Sequence, residues 1–157
     1  MFLRAELLST KFKLVYQLKT ELSKNPEYVQ QVQRLTSNAD MPRSGLKGTN
    51  GLYGSDEWWR NIESGVILTG TAVGTVLDIG AAGFPEEKRP KTEMHVRLVD
   101  GTDEGWTMRA DDPQDISLYK VGGEVMIFYA LDELKRPIGR FGNHLRIILE
   151  MAVSHPA

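Results

Sequence analysis

Residues 66–79 constrain this chain more than any other stretch. They read Val-Ile-Leu-Thr-Gly-Thr-Ala-Val-Gly-Thr-Val-Leu-Asp-Ile, β-branched, rich in threonine and free of proline, which suits a strand. The run is more than twice the ordinary strand length of about 5–6 residues. Gly70 and Gly74 interrupt it, and glycines inside a strand mark bulges or sharp bends. A long strand bent at two glycines can serve both sides of a closed sheet, so it predicts a small β-barrel built around itself.

Four further strands are expected downstream. Residues 92–99 alternate Met94, Val96 and Leu98 against His95 and Arg97. Asp100-Gly101 begins a turn, and residues 105–110 place Trp106 and Met108 opposite Thr107 and Arg109. Residues 113–119 read as a short helical or irregular crossing. Gly122-Gly123 then turns into an apolar strand over 124–131, and residues 145–153 send Leu145, Ile147, Leu149, Met151 and Val153 inward. Five strands with a crossing between the third and fourth match the order of the OB-fold. The expected fold is therefore mainly β, a small five-stranded OB-like antiparallel barrel preceded by an N-terminal helical hairpin. An SH3-like barrel is the alternative. The run Tyr119-Lys120-Val121-Gly122-Gly123-Glu124-Val125-Met126-Ile127-Phe128-Tyr129 resembles a hairpin found in small bacterial barrel domains, OB-like and SH3-like, many of unknown function. The resemblance implies a barrel and carries no catalytic group.

Upstream, residues 3–22 space Leu7, Leu8, Phe12, Leu14, Val15, Leu18 and Leu22 by three and four, which predicts an amphipathic helix. Asn25-Pro26-Glu27 reads as the start of a second helix running to about Leu35, with Tyr28, Val32 and Leu35 on one face. Residues 36–54 hold four glycines and no periodic pattern, so they read as a flexible arm or linker. Ser55 to Gly65 is a short capped helix carrying Trp58 and Trp59. Adjacent tryptophans point in different directions: either both are simply buried within the one chain, which is the favoured reading, or one plugs the barrel end and the other faces the hairpin or a partner. The expected organisation is a hairpin over 1–35, an arm over 36–54 and a barrel domain over 55–157.

Charge divides along the same line. Residues 1–54 carry eight Lys/Arg against four Asp/Glu, while residues 55–157 carry eleven against seventeen. A basic arm on an acidic body suggests contact between copies or with a charged partner. The chain has no cysteine, which removes disulfides, thiolate metal sites and cysteine nucleophiles. No apolar run approaches the roughly 20 residues of a membrane span, so an intracellular, cytoplasmic protein without membrane association is expected.

Catalytic patterns do not emerge. His95, His144 and His155 fall in no metal-binding spacing, and Asp111, Asp112 and Asp115 lack the ligand alternation of a calcium loop. No nucleophile elbow, P-loop or dinucleotide fingerprint occurs. No catalytic residue, cofactor or metal is expected, and the chain reads as a non-enzyme.

Binding residues do suggest themselves. The first reading is an interaction or assembly subunit that self-associates or holds a protein partner through Leu7, Phe12, Val15, Leu18, Leu22, Tyr28, Trp58 and Trp59. The alternative is a single-stranded nucleic-acid module. On an OB-like barrel the ligand lies across the second and third strands between two loops. Phe84, Lys88, Arg89, His95, Arg97, Arg109, Lys135, Arg136, Arg140 and Phe141 would form that face, with the rings stacking on bases and the cations on phosphates.

Overall fold

The computed structural model describes residues 11–80, 92–137 and 142–155. In chain order the elements are β1 (Phe12–Gln17), α1 (Leu18–Lys24), α2 (Pro26–Ser37), α3 (Asp56–Glu63), β2 (Leu68–Ile79), β3 (Glu93–Leu98), β4 (Asp103–Thr107), a 3-10 helix (Pro113–Leu118), β5 (Glu124–Glu133) and β6 (His144–Ser154). The protein is mainly β. Its strands form one hydrogen-bonded sheet in the order β1-β6-β5-β2-β3-β4, with β1 and β4 at the two ends. The sheet has six strands instead of five, and it is not closed. Among the described residues no helix is long and apolar enough to cross a membrane.

The sixth strand corrects the N-terminal helix expected from the sequence. Phe12–Gln17 is β1, antiparallel to β6, and among the described residues helix begins at Leu18; residues 3–10 of the expected helix lie outside the described residues. Its register slips between Leu14 and Tyr16, a β-bulge. The bulge turns both Val15 and Tyr16 into buried positions. A period of two broken by one residue leaves the spacing of three and four that a helix would show.

Contacts divide the described residues into two compact units. The first draws on residues 11–17, 71–80, 92–128 and 150–155. One face of its strands buries Val76, Met94, Val96, Trp106, Val125, Ile127, Met151 and Val153. The opposite face carries a second cluster, Met126 and Ala152 with Phe12, Leu14, Val73 and Phe128 packed against them. Two apolar faces explain why residues 125–128 run without polar alternation. Gly74 lies where the β3 backbone passes close by, since a Cβ there would collide with the Arg97 carbonyl oxygen. The pairing of β2 with β3 slips between Val76 and Asp78, a β-bulge.

The second unit draws on residues 18–70, 129–137 and 142–149. Ser55 caps α3 by accepting the Trp58 N–H at 3.2 Å, as its sequence signature requires. Trp58 and Trp59 are both buried. Neighbouring helix positions differ by about 100°, so both are buried when the helix is covered on two sides. Tyr53 meets Trp58 edge-on, and the Lys19 ammonium sits 5.1 Å above the Trp59 ring. Gly70 passes beneath the Tyr129 ring, and the Arg146 guanidinium lies 5.8 Å from the centre of that ring. Leu145, expected inward, is exposed, while Ile147 and Leu149 are buried.

Residues 36–54, expected to be a flexible arm, are stitched to their own unit. The Lys47 N–H donates to the Glu133 carbonyl (2.8 Å) and the Lys135 N–H to the Gly45 carbonyl (3.1 Å), flanking a bridge between Leu46 and Leu134. Gly45 fits against Leu35, Gly48 against Thr36 and Gly54 against Val29, so the glycines let this segment lie close along α2. The Gln33 amide donates to the Tyr53 carbonyl at 2.8 Å.

Candidate protein-binding surface

The hydrophobic residues singled out from the sequence mostly serve the interior. Val15, Leu18, Leu22, Trp58 and Trp59 are buried in their own units, and Phe12 packs against the Met126–Ala152 cluster. Leu7 lies outside the described residues. Among the described residues of the set Tyr28 alone stands open, 54% exposed on α2. Its ring meets Tyr53 at 6.3 Å and 90°, Tyr53 meets Trp58 at 5.1 Å, and Trp58 meets Trp59 at 4.9 Å. A string of four edge-on rings therefore leads from the surface into the interior of this unit.

Asp132, which sequence reasoning passed over, anchors that string. It is 3% exposed and accepts the Trp58 indole N–H at 2.9 Å and the Glu133 backbone N–H at 3.0 Å. Burial pushes its carboxyl above the usual aspartate range, and the two hydrogen bonds pull it partly back. The signal was available: an acid follows the apolar run Ile127 to Leu131, and a buried tryptophan needs an acceptor.

Four of the groups proposed to track phosphate, His95, Arg97, Arg109 and Lys135, are engaged by the chain itself. Arg97 donates from Nε and Nη2 to the two carboxylate oxygens of Asp103, at 2.9 and 3.1 Å. That fork holds the Asp103 carboxyl below the usual range. His95 Nε2 lies 4.0 Å from the same carboxylate. The Arg109 guanidinium sits 6.0 Å from the Tyr16 ring centre, and its carbonyl accepts the Tyr119 hydroxyl at 2.7 Å. Lys135 donates to the carbonyls of Leu35 (2.7 Å), Asn38 (3.5 Å) and Met41 (3.0 Å), closing the end of α2. Arg136 is exposed. Phe84, Lys88, Arg89, Arg140 and Phe141 lie outside the described residues.

The exposed face of the β3–β4 hairpin thus combines His95, Arg97 and Asp103, with Glu93 accepting the Thr107 hydroxyl at 2.8 Å. At the hairpin tip Asp100 accepts the Thr102 N–H (2.9 Å) and hydroxyl (2.6 Å), which hold its carboxyl below the usual range. Val99 beside it is 85% exposed. Among the described residues no three of His, Asp and Glu converge as a metal site. The arrangement offers fixed charge, hydrogen-bonding groups and exposed apolar side chains, the means of recognising a macromolecular surface.

A family model described as "Immunity protein RhsI2" matches residues 12–154. No curated protein matches the chain.

Proposed function

The chain belongs to the RhsI2 immunity protein family, and on that premise we propose that it binds a cognate toxin protein and neutralises it by occupying the toxin's surface. The match across residues 12–154 carries this reading, because it takes in both compact units. Neutralisation by contact requires a scaffold that holds its binding groups still, and requires no catalytic step. The stitched 36–54 segment and the Trp58–Asp132 anchor support such a scaffold. The position of β2, flanked by β5 and β3, supports an OB-like arrangement of the five strands read from the sequence.

Co-expression tests the proposal. Cells producing the toxin should survive when they also produce this chain, and the two proteins should co-elute after purification. Cell death at equal expression levels, with no co-elution, would overturn it.

A further inference from the structure

The two ends of the sheet differ. At β1 the Val15 carbonyl accepts the Asp111 backbone N–H at 2.8 Å, and the Gln17 N–H donates to the Asp111 carboxylate at 3.1 Å. One loop residue closes that edge.

At β4 the hydrogen-bond phase is set by two contacts, Leu98 N–H to the Thr102 carbonyl (2.8 Å) and Met108 N–H to the Thr92 carbonyl (2.7 Å). In an antiparallel pair such bonds recur at every second residue, so the even-numbered residues of β3 and β4 bond to one another. Odd-numbered residues of the β3 side face β2, as the bonds from Gly80 N–H to Glu93 (2.7 Å) and from Val99 N–H to Val73 (3.1 Å) require. By the same alternation Asp103, Gly105 and Thr107 turn their N–H and C=O groups away from β3. Among the described residues nothing hydrogen-bonds to those outward groups.

The side chains beside this edge leave a gap. Gly105 stands opposite His95, between the Arg97–Asp103 and Glu93–Thr107 pairs. A methyl group on Gly105 would meet nothing within 4 Å. The hairpin over residues 92–108 carries Glu93, Asp100, Asp103 and Glu104 against one Lys/Arg side chain, Arg97, and the imidazole of His95.

We infer that β4 is a docking edge on which an extended, lysine- or arginine-bearing strand of the toxin continues the sheet, one of its side chains seated over Gly105; this rests on the toxin-binding reading above. Added strands gain affinity from main-chain hydrogen bonds and specificity from alternate side-chain seats. Charge decides between occupants. A second copy pairing β4 with β4 would bring two acid-rich hairpins together, whereas a basic strand would be drawn to one.

Titration calorimetry tests the inference, using the toxin whose lethality the chain suppresses, inactivated by mutation. Gly105→Pro removes an outward N–H and no bond of the β3–β4 ladder. It should weaken toxin binding by about tenfold or more, and Gly105→Ala, which keeps the N–H and only narrows the seat, should weaken it by less. Wild-type affinity should fall as salt rises. A folded Gly105→Pro protein that binds within about twofold of wild type would overturn the β4 assignment alone. No binding by wild type would overturn the toxin reading and this inference with it. Hydrogen exchange on the wild-type complex does not depend on the variant folding. The amides of Asp103, Gly105 and Thr107 should become protected, and unchanged exchange would overturn the assignment. A wild-type dimer that Gly105→Pro splits would assign the edge to a second copy and overturn it too.

Discussion

The indole N–H of Trp58 donates to the carboxylate of Asp132 at 2.9 Å, joining α3 to the far end of β5 across 74 residues of sequence. Trp58 is fully buried, so the acceptor has no water to replace it. Asp132→Ala should therefore destabilise the protein by about 2 kcal/mol, the cost of leaving a buried donor unmade. Trp58→Phe should destabilise it too, since the carboxylate then loses a donor while still buried. Urea unfolding of each variant checks this. A double variant no worse than the worse single one would mark the pair as coupled.

The same carboxylate gives stability a pH dependence. Its folded pKa is raised, so between the ordinary aspartate value and the raised one the folded state binds the proton more tightly. Stability gained by protonation is present at low pH and is lost as pH rises through the folded pKa. Asp132→Asn carries no such titration. Wild type should gain stability relative to Asp132→Asn as pH falls from about 7 to about 4, and parallel curves would contradict the assignment. The lowered carboxyls of Asp100 and Asp103 act at more acid pH, where protonation removes their hydrogen-bonded forms.

The glycines of β2 should rank in cost. At Gly74 an added Cβ meets a backbone oxygen of β3, which cannot move without the strand. Gly74→Ala should lose about 2 kcal/mol or more. At Gly70 the obstacle is the hydroxyl end of Tyr129, which can swing, so Gly70→Ala should lose less. Thermal unfolding of the two variants gives the order directly, and equal losses would contradict it.

Lys135 should hold the end of α2. Lys135→Met keeps the aliphatic stem and removes the ammonium from the three carbonyls it serves. The expected loss is about 1 kcal/mol, with faster amide exchange confined to residues 35–47. Uniform acceleration over the whole chain would show a general loosening instead.

The sequence was most legible where periodicity and packing agree. Met94 and Val96 in β3 and Trp106 in β4 alternate inward as their spacing requires, and Ser55 caps α3. The start of α2 at Asn25-Pro26 was placed correctly, although Asn25 donates to the Glu21 carbonyl and does not cap through its side chain. Two features stayed hidden for physical reasons. A bulge at Val15 disguised β1 as helix, and the glycines of the 36–54 segment make their contacts through backbone proximity, which leaves no apolar pattern. The candidate binding residues were read by type and not by partner. Arg97, Lys135 and the two tryptophans resemble an interface until Asp103, the α2 carbonyls and Asp132 are placed beside them.

Direct binding as the route to neutralisation is tested most sharply by titrating purified toxin with purified chain and following the toxin's own activity. Activity should fall linearly and vanish near one chain per toxin, with a stable complex of the two at the end point. Toxin that stays active under an excess of folded chain would contradict neutralisation by contact.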